Sequence, residues 1–180
     1  MARWRCGSRE NARGALILLL HDHGGDEDAA FALAALLPAE PAIAALRGPL
    51  RAPGGGYRWF ETGPTGRQAA ASLTASMDAV ERWIDDRAGD AEELWLAGFG
   101  QGAVLAEAVL LRTPQRYAGA ALLHAGGPHH TGLPVEPNRR RGLEIFHGTA
   151  TPNADELHRL VAWFAARTTT SPLTIMGEHR

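Results

Sequence analysis

Cysteine is almost missing from this 180-residue chain. Cys6 stands alone, which excludes an intrachain disulfide and a metal site built from cysteines. Lysine is absent altogether: all eighteen basic residues are arginine, a bias that accompanies abundant alanine and glycine. A basic excess is missing too. The formal net charge of −2 gives no electrostatic reason to expect nucleic acid as a partner. No apolar run is long enough to span a bilayer. The run GALILLL, preceded by Arg3, Arg5 and Arg9, imitates the hydrophobic region of a signal peptide. It is short, lacks a small-residue cleavage site and leads into His21-Asp22-His23-Gly24-Gly25-Asp26-Glu27-Asp28, so it is read as a buried strand. These absences set the expectation of a cytoplasmic protein that binds neither nucleic acid nor membrane.

What is present is the ordinary apolar and charged content of a globular protein, at a length that suits one domain spanning 1–180. Apolar runs that suit strands covered on both faces lie at Ala15–Leu20, Ala42–Leu46, Leu94–Ala97, Ala118–His124, Leu143–His147 and Leu173–Met176. Helical spacing separates them. Phe31, Ala34, Ala35 and Leu37 can share a face before Pro38, and Leu73, Met77, Val80 and Ile84 form a stripe in a helix from Arg67 to about Asp86. Thr151-Pro152-Asn153 caps a helix whose Leu157, Leu160, Val161 and Phe164 lie together. Between the second and third strands, RGPLRAPGGGYRWFETGPTG reads as a long ordered loop, because Tyr57, Trp59 and Phe60 are costly to leave in water. Alternating strands and helices predict an α/β architecture: a mostly parallel sheet of about six to seven strands with helices on both faces. Ligands then bind at the carboxyl ends of the strands, where His21, His23, Gly100, His124, His147 and Glu178 fall.

The most informative stretch is Leu94 to Gly102, LWLAGFGQG. An apolar strand ends in Gly-Phe-Gly-Gln-Gly, and an apolar helix from Ala103 to Leu111 follows at once. This is the context of a G-x-S-x-G nucleophile elbow, with Gly100 where the serine would stand. Glycine there relieves backbone strain and opens space above the sheet.

From about residue 15 to its end the chain resembles the phospholipase/carboxylesterase family of small α/β-hydrolases. Five segments carry the resemblance, in family order. They are LLLHDHGG, Arg47-Gly48-Pro49 with Gly54-Gly55-Gly56-Tyr57-Arg58-Trp59-Phe60, LAGFGQG, Pro114-Gln115-Arg116-Tyr117-Ala118-Gly119-Ala120, and HGTATP from His147 to Pro152. The resemblance implies a compact α/β-hydrolase fold. It also marks departures. The nucleophile position is Gly100, the triad-acid position is Thr151, and the triad-histidine position after Gly177 is Glu178, with His179 one residue further on. Loss of nucleophile and acid removes both the attacking atom and the group that orients its base, so serine-dependent ester hydrolysis is not carried over.

Other functions stay open for the residues that remain. The backbone amides of Gln101 and His23 match the family's oxyanion hole, which can stabilise an enolate or a bound carboxylate without a nucleophile. His23 and His124 are expected to point toward the pocket where the family has its active site and to suit proton transfer near neutral pH, and Glu178 is a carboxylate in place of an imidazole. Tyr57 and Trp59 are expected to wall the pocket. His21 and His147 match positions of structural role, and His129-His130 lies in a polar loop. A metal held by His21, His23, His124 and Asp22 or Glu178 has no helical H-x-x-x-H support, so neither metal nor cofactor is assigned. Asp22 stands where the family has glycine, which changes the local loop. The expected function is a non-hydrolytic enzyme of cyclase, isomerase or lyase type acting on a small carbonyl compound. The alternatives are a ligand-binding or accessory pseudoenzyme and a weak carboxylesterase. A homodimer is left open.

Overall fold

The computed structural model describes residues 14–62, 70–123, 143–149 and 151–168, and the backbone of Ala2–Arg5. In chain order the strands are β1 (Ala2–Arg5), β2 (Ala15–Leu20), β3 (Ala42–Leu46), β4 (Leu50–Arg51), β5 (Tyr57–Arg58), β6 (Glu93–Phe99), β7 (Gly119–Leu123) and β8 (Glu144–Gly148). The α-helices are α1 (Glu27–Phe31), α2 (Ala70–Ala88), α3 (Gln101–Arg112) and α4 (Ala154–Thr168). The main sheet runs β1-β3-β2-β6-β7-β8. From β3 to β8 every neighbouring pair is parallel, and β1 joins the edge antiparallel to β3, pairing Ala2 with Leu46 and Arg5 with Ile43. The chain therefore has the mostly parallel, helix-covered sheet expected of an α/β-hydrolase fold.

The inner strands β2, β3 and β7 are apolar throughout because both faces are covered. Leu16, Leu18 and Leu20 of β2 point to one side and pack with Leu73, Met77, Val80 and Ile84 of α2 and Leu105 and Val109 of α3. Ile17 and Leu19 point to the other and meet Leu33, Leu37, Leu160 and Phe164. Period-two alternation thus feeds two separate cores from one uninterrupted run. The stripe expected on α2 is buried at all four positions. Helix α4 begins as expected, with Asn153 Oδ1 accepting from the Glu156 N–H at 2.9 Å.

Three details differ from the sequence expectation. The first helix is only five residues long and tightens into a 3₁₀ turn at Ala32–Ala35. Three residues per turn bring Ala30, Leu33, Ala34 and Leu37 inward and leave Ala35 exposed. The Gly- and Pro-rich loop contains a two-stranded ribbon, Leu50 opposite Arg58 and Arg51 opposite Tyr57. The segment around Arg3 and Arg5 is a strand, not merely a lead-in. The expected strand Leu173–Met176 lies outside the described residues.

The order of strands matters for the site. From β2 the chain steps outward to β3, then returns past β2 to β6. The carboxyl ends of β2 and β6 therefore flank a topological switch point, the place where open α/β sheets bind ligands. Leu105 on α3 is fully buried beneath it. Leu105→Ala is expected to cost about 2–5 kcal/mol of stability, through lost transfer energy and the cavity left behind, read as a lower urea midpoint with an unchanged slope.

Candidate functional site

Strand β6 stops at Phe99 and α3 starts at Gln101, with Gly100 between them at φ 48° and ψ −113°. This is the sharp strand-to-helix turn of an elbow, in a backbone conformation that side chains other than glycine adopt only with strain. The turn is tight because its neighbours are glycines. A Cβ on Gly98 would lie 2.3 Å from the Gly102 carbonyl oxygen, and one on Gly102 2.3 Å from that of Leu20. The Gly100 N–H is held by the Leu123 carbonyl at 2.7 Å.

A carboxylate stands above Gly100. Asp22 Oδ1 accepts from the Gln101 N–H at 2.7 Å and from the His23 N–H at 2.6 Å. These are the two amides that the sequence placed in an oxyanion hole. They do converge on one oxygen, and that oxygen belongs to Asp22. A Cβ built on Gly100 would fall 1.9 Å from Oδ1 and 2.1 Å from the carboxyl carbon. The Asp22 side chain therefore occupies the volume that a side chain at residue 100 would need. Charged acceptors make short, strong bonds to N–H donors, and the N-terminus of α3 adds its partial positive charge. Asp22 is the residue whose role the sequence reading missed. Its signal was a pair of departures from the resembled pattern, aspartate in place of glycine in the first loop and glycine in place of serine at the elbow, which are complementary in volume.

The scaffold beneath is a chain of buried polar contacts. Gln101 is tied through its side chain as well: Oε1 accepts from the Trp59 N–H at 2.7 Å, and Nε2 donates to the Phe60 carbonyl at 2.8 Å. Trp59 is buried, donates its indole N–H to the His21 carbonyl at 2.9 Å and stacks on the His21 ring at 5.0 Å. The Gly48 N–H donates to His21 Nε2 at 2.9 Å, so Nδ1 carries the proton and donates to the Asp22 carbonyl at 2.7 Å. Both ring nitrogens are thus committed to backbone, and burial holds the His21 pKa below its ordinary 6.5. His21 is a structural residue that fixes the backbone of Asp22. Tyr57 is half-buried between the Arg47 and Arg51 guanidinium groups, which lie 4.5 and 4.4 Å from its ring centre. Its hydroxyl accepts from Arg47, whose guanidinium also forks onto the buried Glu27 carboxylate.

A cavity of about 540 Å³ opens beside Asp22. Asp22 and His23 form its polar end, and Ala29, Leu33, Leu36, Phe99 and Leu157 its apolar walls. Gly100 and Gln101 are not among the residues lining it, since Asp22 stands over them. Trp59 faces a smaller cavity of about 390 Å³ with Arg47, Trp83 and Arg87.

The triad-acid position, Thr151, is exposed. Just before it, the Thr149 N–H and hydroxyl both donate to Glu156 at 2.6 Å, which holds that carboxyl below the usual range. The described serines serve α2 and its neighbours. Ser72 Oγ accepts from the Glu61 N–H, and Ser76 donates to the Trp59 carbonyl. Among the described residues no three His, Cys, Asp or Glu side chains gather as a metal ion requires. His124, His129, His130, Glu178 and His179 lie outside the described residues.

Sheet order, elbow and cleft together define the α/β-hydrolase fold. Solved structures of that fold superpose over nearly the whole chain. One is a protein of unknown function, Atu2452 from Agrobacterium tumefaciens (TM-score 0.75, 22% identity, 91% of this chain and 95% of the other). Another is a Bacillus cereus carboxylesterase (TM-score 0.72, 18% identity, 92% and 93%). A third is a carboxylesterase from Mesorhizobium loti (TM-score 0.66, 24% identity, 85% and 88%). At these identities the likeness is one of fold. No protein-family model matches the sequence, and no curated protein does.

Two outcomes follow from the geometry. Gly100→Ala is expected to cost roughly 2 kcal/mol or more, from positive-φ strain and from the clash with Asp22. In an Asp22→Gly background the clash is gone, and the cost falls by about 1 kcal/mol or more in a urea double-mutant cycle. The second outcome concerns pH. A histidine whose folded pKa is depressed contributes stability that is complete above its unfolded value, here 6.5, and is lost as pH falls below it toward the folded value. Melting temperature is therefore expected to drop on acidification below pH 6.5, with a slope that shrinks by up to one proton, about 1.4 kcal/mol per pH unit, in His21→Asn.

Proposed function

We propose that this chain is a non-hydrolytic enzyme on a hydrolase chassis, which moves protons on a small carbonyl compound seated beside His23. The observation that carries this reading is the occupancy of the two amides by Asp22. An ester carbonyl entering the cleft meets donors that are already taken, at an elbow that bears no nucleophile. Acyl transfer by the fold's usual route is closed in this arrangement.

What the cleft offers instead is proton transfer. His23 is exposed on the cavity, and an imidazole side chain can serve as general acid or general base. Its backbone N–H is held by Asp22, whose own carbonyl is held by the His21 ring, and these contacts set its place relative to the cavity. His124 and Glu178, placed by the sequence at the ends of later strands, are the further candidates for the same work. Cyclisation, isomerisation and elimination are within the reach of such a set. The second reading, slow ester hydrolysis by water that a histidine activates, is supported by the carboxylesterases among the solved structures of this fold.

The two readings separate experimentally. Nitrophenyl acetate is expected to be hydrolysed no faster than background, and a serine-directed phosphonate to leave the chain unlabelled. Across a panel of small ketones and aldehydes in D₂O, the chain is expected to speed α-proton exchange of at least one, seen by NMR, and His23→Ala to slow it about 10²–10⁴-fold without unfolding. Brisk hydrolysis blocked by the phosphonate overturns the proposal. Absence of exchange with every compound favours a ligand-binding pseudoenzyme.

A further inference from the structure

We propose that Asp22 reverses the polarity of this site, so that the cavity takes a small amine or other N–H-bearing head group attached to an apolar body. The inference rests on reading that cavity as the ligand site and names the class of molecule it selects.

The first amide of a twelve-residue helix, converging with an amide of the loop after β2, ordinarily attracts an anion. Here their capacity is spent on Asp22 Oδ1, and the carboxylate brings a full negative charge to a place that otherwise carries partial positive charge. Among the described residues no donor reaches Asp22 Oδ2. The residue is exposed at the polar end of the cavity. Apart from His23, which follows Asp22 directly and donates its backbone N–H to it, no described lining residue brings a positive charge to offset it. No arginine lines the cavity, His21 is committed at both nitrogens, and Arg47 is engaged by Glu27. The other acids at this end, Asp26 and Glu27, cap α1 and pair with Arg47.

The rest of the cavity is hydrocarbon. Leu33, Leu36, Phe99 and Leu157 line it, and Leu36 is left 51% exposed, so an apolar body seated there would remove that surface from water. At about 540 Å³ the space suits a molecule of one or two rings. A carboxylate ligand is excluded on two counts: the amides that would hold it are occupied, and the occupant repels it. An ammonium or amide N–H meets an acceptor held in one orientation.

The test is calorimetric titration of the full chain at about pH 7 with two probes of matched shape, phenethylamine as its ammonium and 3-phenylpropionate as its carboxylate. The ammonium is expected to bind at least tenfold more tightly. Asp22→Asn keeps the shape and removes the charge, and is expected to abolish the preference. Asp22→Gly frees both amides and is expected to turn it toward the carboxylate. Circular dichroism and titration with neutral phenethyl alcohol verify that each variant keeps its fold and its apolar walls. The proposal is overturned if the carboxylate binds the unaltered chain as tightly as the ammonium, if the preference survives Asp22→Asn, or if neither probe binds. Binding is read without turnover, so ammonium selectivity in a chain that catalyses no exchange keeps this inference and removes the proposed reaction. Catalysed exchange on carboxylate substrates alone does the opposite.

Discussion

The structure turns on one carboxylate oxygen. Asp22 Oδ1 binds the first amide of α3 and the amide that follows it in the loop after β2, and so joins the carboxyl ends of β2 and β6 at the point where the sheet reverses direction. The contact is made possible by an absence, since a side chain at residue 100 would overlap the carboxylate. Among the described residues, three side chains support those two backbones. His21 fixes the carbonyl of Asp22, Trp59 covers His21, and Gln101 binds the Trp59–Phe60 segment to the start of α3.

The elbow in this arrangement is built by backbone. The tight glycines at 98 and 102, the positive φ at 100 and the paired amides are backbone features, set by packing of β6 and α3. That frame rests on the two cores on either side of the sheet, with the Asp22 carboxylate bridging its strand ends. Such a fold does not by itself fix a reaction.

The fold was legible in the sequence wherever burial dictates pattern. Ala15–Leu20 and Ala42–Leu46 were readable to the residue, since strands covered on both faces must be apolar throughout. The stripe Leu73, Met77, Val80, Ile84 was readable because a long amphipathic helix repeats. The short first helix was less so: five residues give periodicity too little length to distinguish an α from a 3₁₀ turn, and Leu33 replaced Ala35 in the core. Strand β1 was hidden because an edge strand need bury little, and its arginines read as charge. At the site, the elbow and the two amides could be placed from motif order, but Asp22 could not be placed over Gly100. The bond from Gln101 that holds it there joins residues 79 positions apart, and only the three-dimensional frame shows that Asp22 fills the space Gly100 leaves.

The shared volume of residues 22 and 100 also couples the choice of residue at the two positions. With this backbone and this placement of the Asp22 carboxylate, a side chain at the elbow overlaps it. Anyone re-equipping the elbow with a larger residue must therefore redesign position 22 first, and a library that varies either position alone samples the wrong half of the problem.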